Sequence, residues 1–183
     1  MSLPDRIHVT GGSGSGTTTL GRAIAGRYGH IHLDTDDFFW EATDPPFTTR
    51  RSREERVRLL REALDAADRW VLSGAIGPWG YDLVDLFDLV VWLTVPPRIR
   101  LARLRARESA DYGMRIVRGG DMHDGFEDFM RWAASYDTAD TSARSYARHA
   151  EWTASLRCPT IRVDGDHPVE ETLRLVETRL HPR

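Results

Sequence analysis

Gly11-Gly-Ser-Gly-Ser-Gly16-Thr17-Thr18 stands between residues 7–10 (Ile-His-Val-Thr), which read as a short buried strand, and residues 20–28, which read as a helix. A glycine-rich turn in that place aims successive backbone N–H groups at one point, and the helix N-terminus adds partial positive charge. The chain is thereby committed to a strand–loop–helix unit with an anion site at its tip. A Gly/Ser linker has a similar composition, but a linker does not join a strand to an amphipathic helix inside a domain. The spacing Gly11-x4-Gly16, followed by Thr18, matches the Walker A pattern. In that pattern Thr18 is placed for Mg²⁺, and Thr17 occupies the position of the lysine. The backbone of Gly11, Gly12, Ser13, Gly14, Ser15, Gly16, Thr17, Thr18 and Thr19 is the expected cradle for the phosphates of a nucleoside triphosphate.

All 25 Lys+Arg residues are arginine. Any cation used in catalysis must then be arginine, a metal ion or a protonated histidine. The net charge of −3 excludes the basic footprint of a nucleic-acid binder. With 183 residues the chain is read as one domain, 1–183, with a substantial core. The single cysteine, Cys158, excludes an internal disulfide framework and a cysteine zinc cluster, and reads as a small buried thiol. There is no run of about 18 apolar residues and no signal-peptide core. The expected setting is a soluble protein of a reducing cytoplasm, with no membrane partner.

Five strand-like segments, 6–10, 30–34, 70–74, 89–95 and 160–164, alternate with helical patterns. This predicts an α/β fold: a five-stranded parallel sheet with helices on both faces. Residues 89–95 form a continuous apolar run closed by Pro96-Pro97, as a central strand does. Ser52-Arg-Glu-Glu55 is a capping box that opens a helix through about residue 67. Residues 109–124 break the periodicity and contain Gly113, Gly119 and Gly120, which suggests a lid. A long helical stretch with Trp132, Tyr136, Tyr146 and Trp152 follows.

Strand two ends in Asp34-Thr-Asp36-Asp37, at the sheet edge where ligands bind in open α/β folds. One carboxylate there could accept the proton of an attacking hydroxyl, and another could hold Mg²⁺; Asp34 and Asp36 are the candidates. Asp36 or Asp37 could equally cap the next helix. Trp40, Arg50, Arg51, Gly77 and Trp79, with Asp36, are the candidate acceptor-side residues. An aromatic ring could stack on a planar acceptor, guanidinium forks suit phosphate or carboxylate, and a glycine allows close approach. Arg100, Arg103 and Arg107 share one arc of the helix after Pro97. That stripe leads into the glycine-rich segment with Arg115 and Arg118, which together could close cations over the phosphates. An arginine that reaches a transferring phosphoryl group is worth roughly 10³–10⁵ in rate, enough to offset an absent lysine.

With these pieces in place the chain resembles the P-loop kinase group that contains adenylate kinases, cytidylate kinases and shikimate-kinase-like enzymes. It is most similar to small bacterial proteins called adenylate-kinase-like or topology-modulation-like. The resemblance rests on residues 11–19, Asp34-Thr-Asp36, Ser73-Gly74, Arg103-Leu-Arg-Ala-Arg107 and Val163-Asp-Gly165. It implies a three-layer P-loop fold with an arginine-rich lid, and ATP with Mg²⁺ as cofactors. It also implies that Arg103 and Arg107 bracket the ATP phosphates and the adenine edge. The loop 164–168, with Asp164 and Gly165, would hold adenine. The acidic pair after strand two would serve acceptor and metal. Archaeal cytidylate kinases resemble the chain at Thr17 as well, with Gly-Thr-Thr-Thr in place of Gly-Lys-Ser/Thr. The expected activity is ATP-dependent transfer of the γ-phosphoryl group to a small acceptor, a nucleotide or nucleoside first among them. The alternative is an ATP-binding sensor or regulatory module with a degenerate loop, which Thr17 favours.

Overall fold

β4 (Leu89–Thr94) is buried at five of its six positions, so both of its faces must be covered, as in a parallel sheet with helices on either side. In the computed structural model, which describes residues 3–180, the sheet has the order β2-β3-β1-β4-β5, all strands parallel. The other strands are β1 (Arg6–Gly11), β2 (Ile31–Asp34), β3 (Trp70–Ser73) and β5 (Thr160–Asp164). They lie within a residue or so of the segments expected from the apolar runs. The helices are α1 (Thr17–Tyr28), α2 (Thr35–Phe39), α3 (Arg53–Asp65), α4 (Pro97–Tyr112), α5 (His123–Ser135), α6 (Tyr146–Ser155) and α7 (Val169–Leu180). Because the strands are parallel and in register, Gly11, Asp34, Ser73, Thr94 and Asp164 all fall at one edge of the sheet.

The strand period of two divides the core into two layers. Ile7, Val9, Leu89, Val91 and Leu93 pack with Leu20, Ile24, Leu173 and Val176 of α1 and α7. Leu72 and Val90 face the opposite layer, with Leu60 and Leu64 of α3, Leu83, Phe87 and the half-buried Trp152. His8 and Thr10 occupy that second face in full burial. His8 Nδ1–H donates to Leu72 O (3.0 Å), and its ring stacks on Phe87 at 4.9 Å.

Half of the capping box at Ser52 forms: Ser52 Oγ accepts from Glu55 N at 3.1 Å, while the Glu55 carboxylate lies 3.7 Å from Arg51 Nε. Ser52→Ala removes that bond, leaves an orphan N–H, and should cost about 1 kcal/mol. Thermal unfolding should then shift down by about 2–4 °C; an unchanged midpoint would mean that the cap contributes nothing.

Two expectations change at the level of elements. The stretch carrying Trp132 through Trp152 is not one helix. α5 ends at Ser135 and α6 starts at Tyr146, capped by Ser145 Oγ accepting from Arg148 N (3.1 Å). The segment 109–124 is not one irregular loop either. α4 continues to Tyr112, a short 3₁₀ turn covers Gly113–Ile116, and α5 begins at His123.

Candidate active site

α1 starts without a side-chain cap and without an acidic residue in its first turn. The N–H groups of that turn have no intrahelical acceptor, so the helix entrance is built for an external anion. Gly14 (φ 81°) and Gly16 (φ 94°) take the left-handed conformations that let the loop wrap. A Cβ at Gly14 would also lie 2.5 Å from Arg100 O, so α4 holds the loop tightly from behind. The donor set and its shape fit a polyphosphate.

Thr18 Oγ1 donates to Asp34 Oδ2 at 2.7 Å. This brings a hydroxyl and a carboxylate together just past the loop, a pair of hard oxygens suited to Mg²⁺. Ser73 Oγ donates to the same Asp34 oxygen at 3.3 Å, and His32 Nε2 lies 2.8 Å from Ser73 Oγ. Asp34 is thus fixed by a chain that crosses β2 and β3. It also caps α2, with Oδ1 accepting from Asp36 N at 3.1 Å. The cap is therefore Asp34, not Asp36 or Asp37. β2 delivers Asp34 in extended geometry one residue before the helix, which is what an N-cap needs.

Asp36 is released from capping and is exposed. It is open to solvent yet ringed by protein, and this desolvation, with the charge of Asp34, raises its carboxyl above the usual carboxylate range; Arg144 and Arg107 pull the other way. Asp37 is raised for the same two reasons.

The arginines divide by what they touch. Arg103 Nη1 donates to Gly165 O (3.1 Å), tying α4 to the loop after β5. Gly165 in turn packs on the phosphate loop, since a Cβ there would lie 3.1 Å from Ser15 O. Asp164 is exposed, and its Oδ1 accepts from Asp166 N at 3.0 Å. Arg107 is mostly exposed and pairs with Glu108 at 2.5 Å. Arg115 is bound to Asp121 and Asp44, each at 2.7 Å, which joins the turn before α5 to the loop after α2. Arg118 is exposed. Arg100, which falls on the same stripe, is 1% exposed; it donates to Ser13 O (2.9 Å) and pairs with Asp137.

In the segment after α2, Trp40 is half-buried against Phe39 and Phe47, with Arg50 over its ring at 5.5 Å. Arg51 Nη1 donates to the carbonyls of Asp37, Phe38 and Trp40, so one guanidinium nitrogen satisfies the end of α2. Trp79 is a core side chain, 8% exposed, beside Phe39. Gly77 precedes the 3₁₀ segment Pro78–Leu86. The half-buried Cys158 packs against the second core layer, and burial raises its thiol. His123 Nδ1 donates to Ile116 O at 3.0 Å.

Arg144, Tyr136 and His32 were not among the residues expected at the site. Arg144 Nη2 donates to Gly11 O (2.8 Å). A Cβ at Gly12 would lie 2.9 Å from the Tyr136 ring. Neither residue carries a local signal, because both come from the irregular connection between α5 and α6.

A family model described as an AAA domain matches residues 7–128, from β1 into α5. The chain belongs to that family. This AAA-domain chain is 44% identical over 169 residues to the uncharacterized protein YqaC of Bacillus subtilis (strain 168), covering 92% of the chain and 93% of YqaC. It is 29% identical over 119 residues to a cytidylate kinase of Methanocorpusculum labreanum, with 56% of the chain and 63% of that kinase covered. Its fold is that of a shikimate kinase from Bacteroides thetaiotaomicron, with a TM-score of 0.55 and 21% identity over 96% of the chain and 97% of the kinase. The three-layer α/β fold and the placement among nucleoside-monophosphate-kinase- and shikimate-kinase-like P-loop proteins therefore hold. No helix among the described residues is long and apolar enough to cross a membrane.

Proposed function

We propose that the protein is an ATP-dependent kinase that moves the γ-phosphoryl group to a hydroxyl or phosphate oxygen of a small acceptor, with nucleotides and nucleosides the first class to test. The observation that carries this reading is the Thr18–Asp34 contact of 2.7 Å beneath an uncapped helix entrance, with a second carboxylate of raised pKa, Asp36, two residues further on. A protein that only binds a nucleotide has no need of that second carboxylate. The names of the relatives support the same reaction class.

In this reading the amides of residues 12–17 hold the phosphates, and Thr18 with Asp34 holds Mg²⁺. When bound, the ion neutralises charge on the β- and γ-oxygens. Asp36 accepts the proton of the attacking hydroxyl; a new O–Pγ bond forms, the bond from Pγ to the β-bridging oxygen breaks, and ADP leaves. Arg103, bound to Gly165 O, closes the slot for the base beside Asp164 and Gly165. Arg107 would turn toward the phosphates on leaving Glu108, and Arg115 and Arg118 are carried by the turn between α4 and α5. Trp40, Arg50, Arg51, Gly77 and Trp79 line or brace the acceptor side.

The second reading, a nucleotide sensor without chemistry, draws on Thr17, which leaves the loop without its own cation. The deciding measurement is ADP release from Mg·ATP against a panel of nucleoside monophosphates, nucleosides and small hydroxylated metabolites. Acceptor-dependent ADP above the hydrolysis background is expected. Tight ATP binding with no acceptor response across the panel would favour the sensor.

A further inference from the structure

Phosphoryl transfer needs a cation against the phosphate oxygens, yet the loop has Thr17 where that cation usually stands and the chain has no lysine. We infer that Arg144, brought from the connection between α5 and α6, is the catalytic cation of the phosphate loop in place of the missing lysine. The inference rests on the kinase reading above and names the residue that reading lacks.

The other arginines of α4 and of the turn after it already have partners. Arg100 is paired with Asp137, Arg107 with Glu108 and Arg115 with two aspartates, while Arg103 is bound to the loop after β5. Arg144 differs from these in having no carboxylate partner, although Arg100 also donates to a loop carbonyl, that of Ser13, and also has a buried Nε without a partner. One nitrogen of Arg144 donates to the carbonyl of Gly11, the first residue of the loop, at 2.8 Å. Its Nε is buried and has no partner. Among the described residues no carboxylate lies within ion-pair distance of it, and the acid whose charge it feels most is Asp36. A half-buried guanidinium with unused donors thus sits against the phosphate loop and feels the charge of Asp36. Anionic phosphate oxygens are what would complete it.

The position is also held rigidly, as electrostatic catalysis requires. Trp132 lies under the guanidinium at 5.4 Å. Tyr136 packs across Gly12, and its hydroxyl meets His149 Nδ1 at 2.6 Å. Tyr146 N donates to Tyr136 O (2.8 Å), and the fully buried Ser145 donates to Asp140 O (2.7 Å). The connection that carries Arg144 is therefore pinned at both ends. An arginine stays charged at any working pH, so Arg144 exchanges no proton in the step. It balances charge that builds on the phosphate oxygens as the bond to ADP breaks.

The test is a charge relocation in the full-length chain, comparing wild type, R144A, T17K and the T17K/R144A double variant. Two readouts are taken: the affinity ratio of a non-hydrolysable Mg·ATP analogue to Mg·ADP by calorimetry, and acceptor-dependent ADP release. R144A should lose about ten- to a hundredfold of the preference for the triphosphate and about 10³-fold or more in kcat. T17K alone should not exceed wild type, because two cations then share one space. T17K in the R144A background should recover at least about tenfold over R144A, which a merely structural role for Arg144 would not produce. Should R144A fail to fold by circular dichroism, R144Q, a shorter neutral side chain that retains an amide N–H, carries the same expectations. A folded R144A or R144Q with the wild-type affinity ratio and turnover would overturn the assignment, as would a double variant no better than R144A. If wild type binds the triphosphate but gives no acceptor-dependent ADP, the kinase reading falls while the affinity ratio still decides Arg144. If wild type binds neither nucleotide, both fall.

Discussion

Asp36→Asn should lower turnover by about 10²–10⁴-fold, the range a positioned general base contributes, while the affinity for Mg·ATP stays near that of the parent. The substitution keeps the size of the side chain and removes its ability to take a proton. It leaves the Thr18–Asp34 contact and the α2 cap untouched, because both belong to Asp34. Asp36 feels desolvation first and the charge of Asp34 second, and both raise its carboxyl. The acid limb of kcat/KM should accordingly lie above the ordinary carboxylate value of 3.8, and the limb should vanish in the variant. Turnover within about threefold of the parent would instead assign proton acceptance to Asp34 or Asp37.

Stability should fall steeply as the pH drops below 6.5. Burial pushes His8 down from 6.5 to about 4, against its bond to Leu72, and pushes His149 down to about 3, with Arg144 and His8 adding to the effect. Between those values and 6.5 the unfolded chain binds protons that the folded chain refuses, so the stabilisation present above 6.5 is lost on acidification. Each imidazole accounts for about 3 kcal/mol by pH 4. The raised carboxyls of Asp36 and Asp37 act in the opposite sense, favouring the folded form as the pH falls. A series of urea midpoints from pH 7 to pH 4 measures the net. His8→Asn, which retains an N–H for Leu72 O, should flatten the curve; equal midpoints at pH 7 and pH 5 would show that these imidazoles are not held neutral.

The acidic sensitivity belongs to the same face of the sheet as the site. His8 and Thr10 lie in β1 directly before the loop, and Thr10 Oγ1 is 3.5 Å from His149 Nε2. His149 also meets the hydroxyl of Tyr136, whose own pKa is pushed up to about 12 by burial. The polar network under the loop is thus kept neutral except for its arginines, and it anchors the connection that carries Arg144.

The phosphate loop, the five strands, the capped start of α3 and the acidic run after β2 were legible because each depends on neighbours in the chain. Gly14 and Gly16 are required by local backbone angles, and β4 by an unbroken apolar run. The arginines were less legible. The arginine pattern points to useful cations on the α4 stripe and in the 109–124 segment. It could not tell that Arg100 would be buried against Asp137, Arg115 tied to Asp44, or Arg51 turned back on α2. Those outcomes are choices among partners, and a flexible charged side chain takes whichever carbonyl or carboxylate the fold brings within reach. The same holds for Trp79, whose ring offers an acceptor wall or core filling with equal chemistry, and which the packing of Ile76 and Leu83 draws inward.

What the sequence determined by itself is the class of the fold and the presence of a phosphate cradle, since periodicity, glycine geometry and capping act over a few residues and survive in any arrangement of the elements. The tertiary structure alone decided which carboxylate caps α2 and which guanidinium groups reach the carbonyls of the phosphate loop. Gly11 and Arg144 are separated by 133 positions in the chain, and only closure of the parallel sheet, with the α5–α6 connection pinned across its edge, brings that charge to that carbonyl.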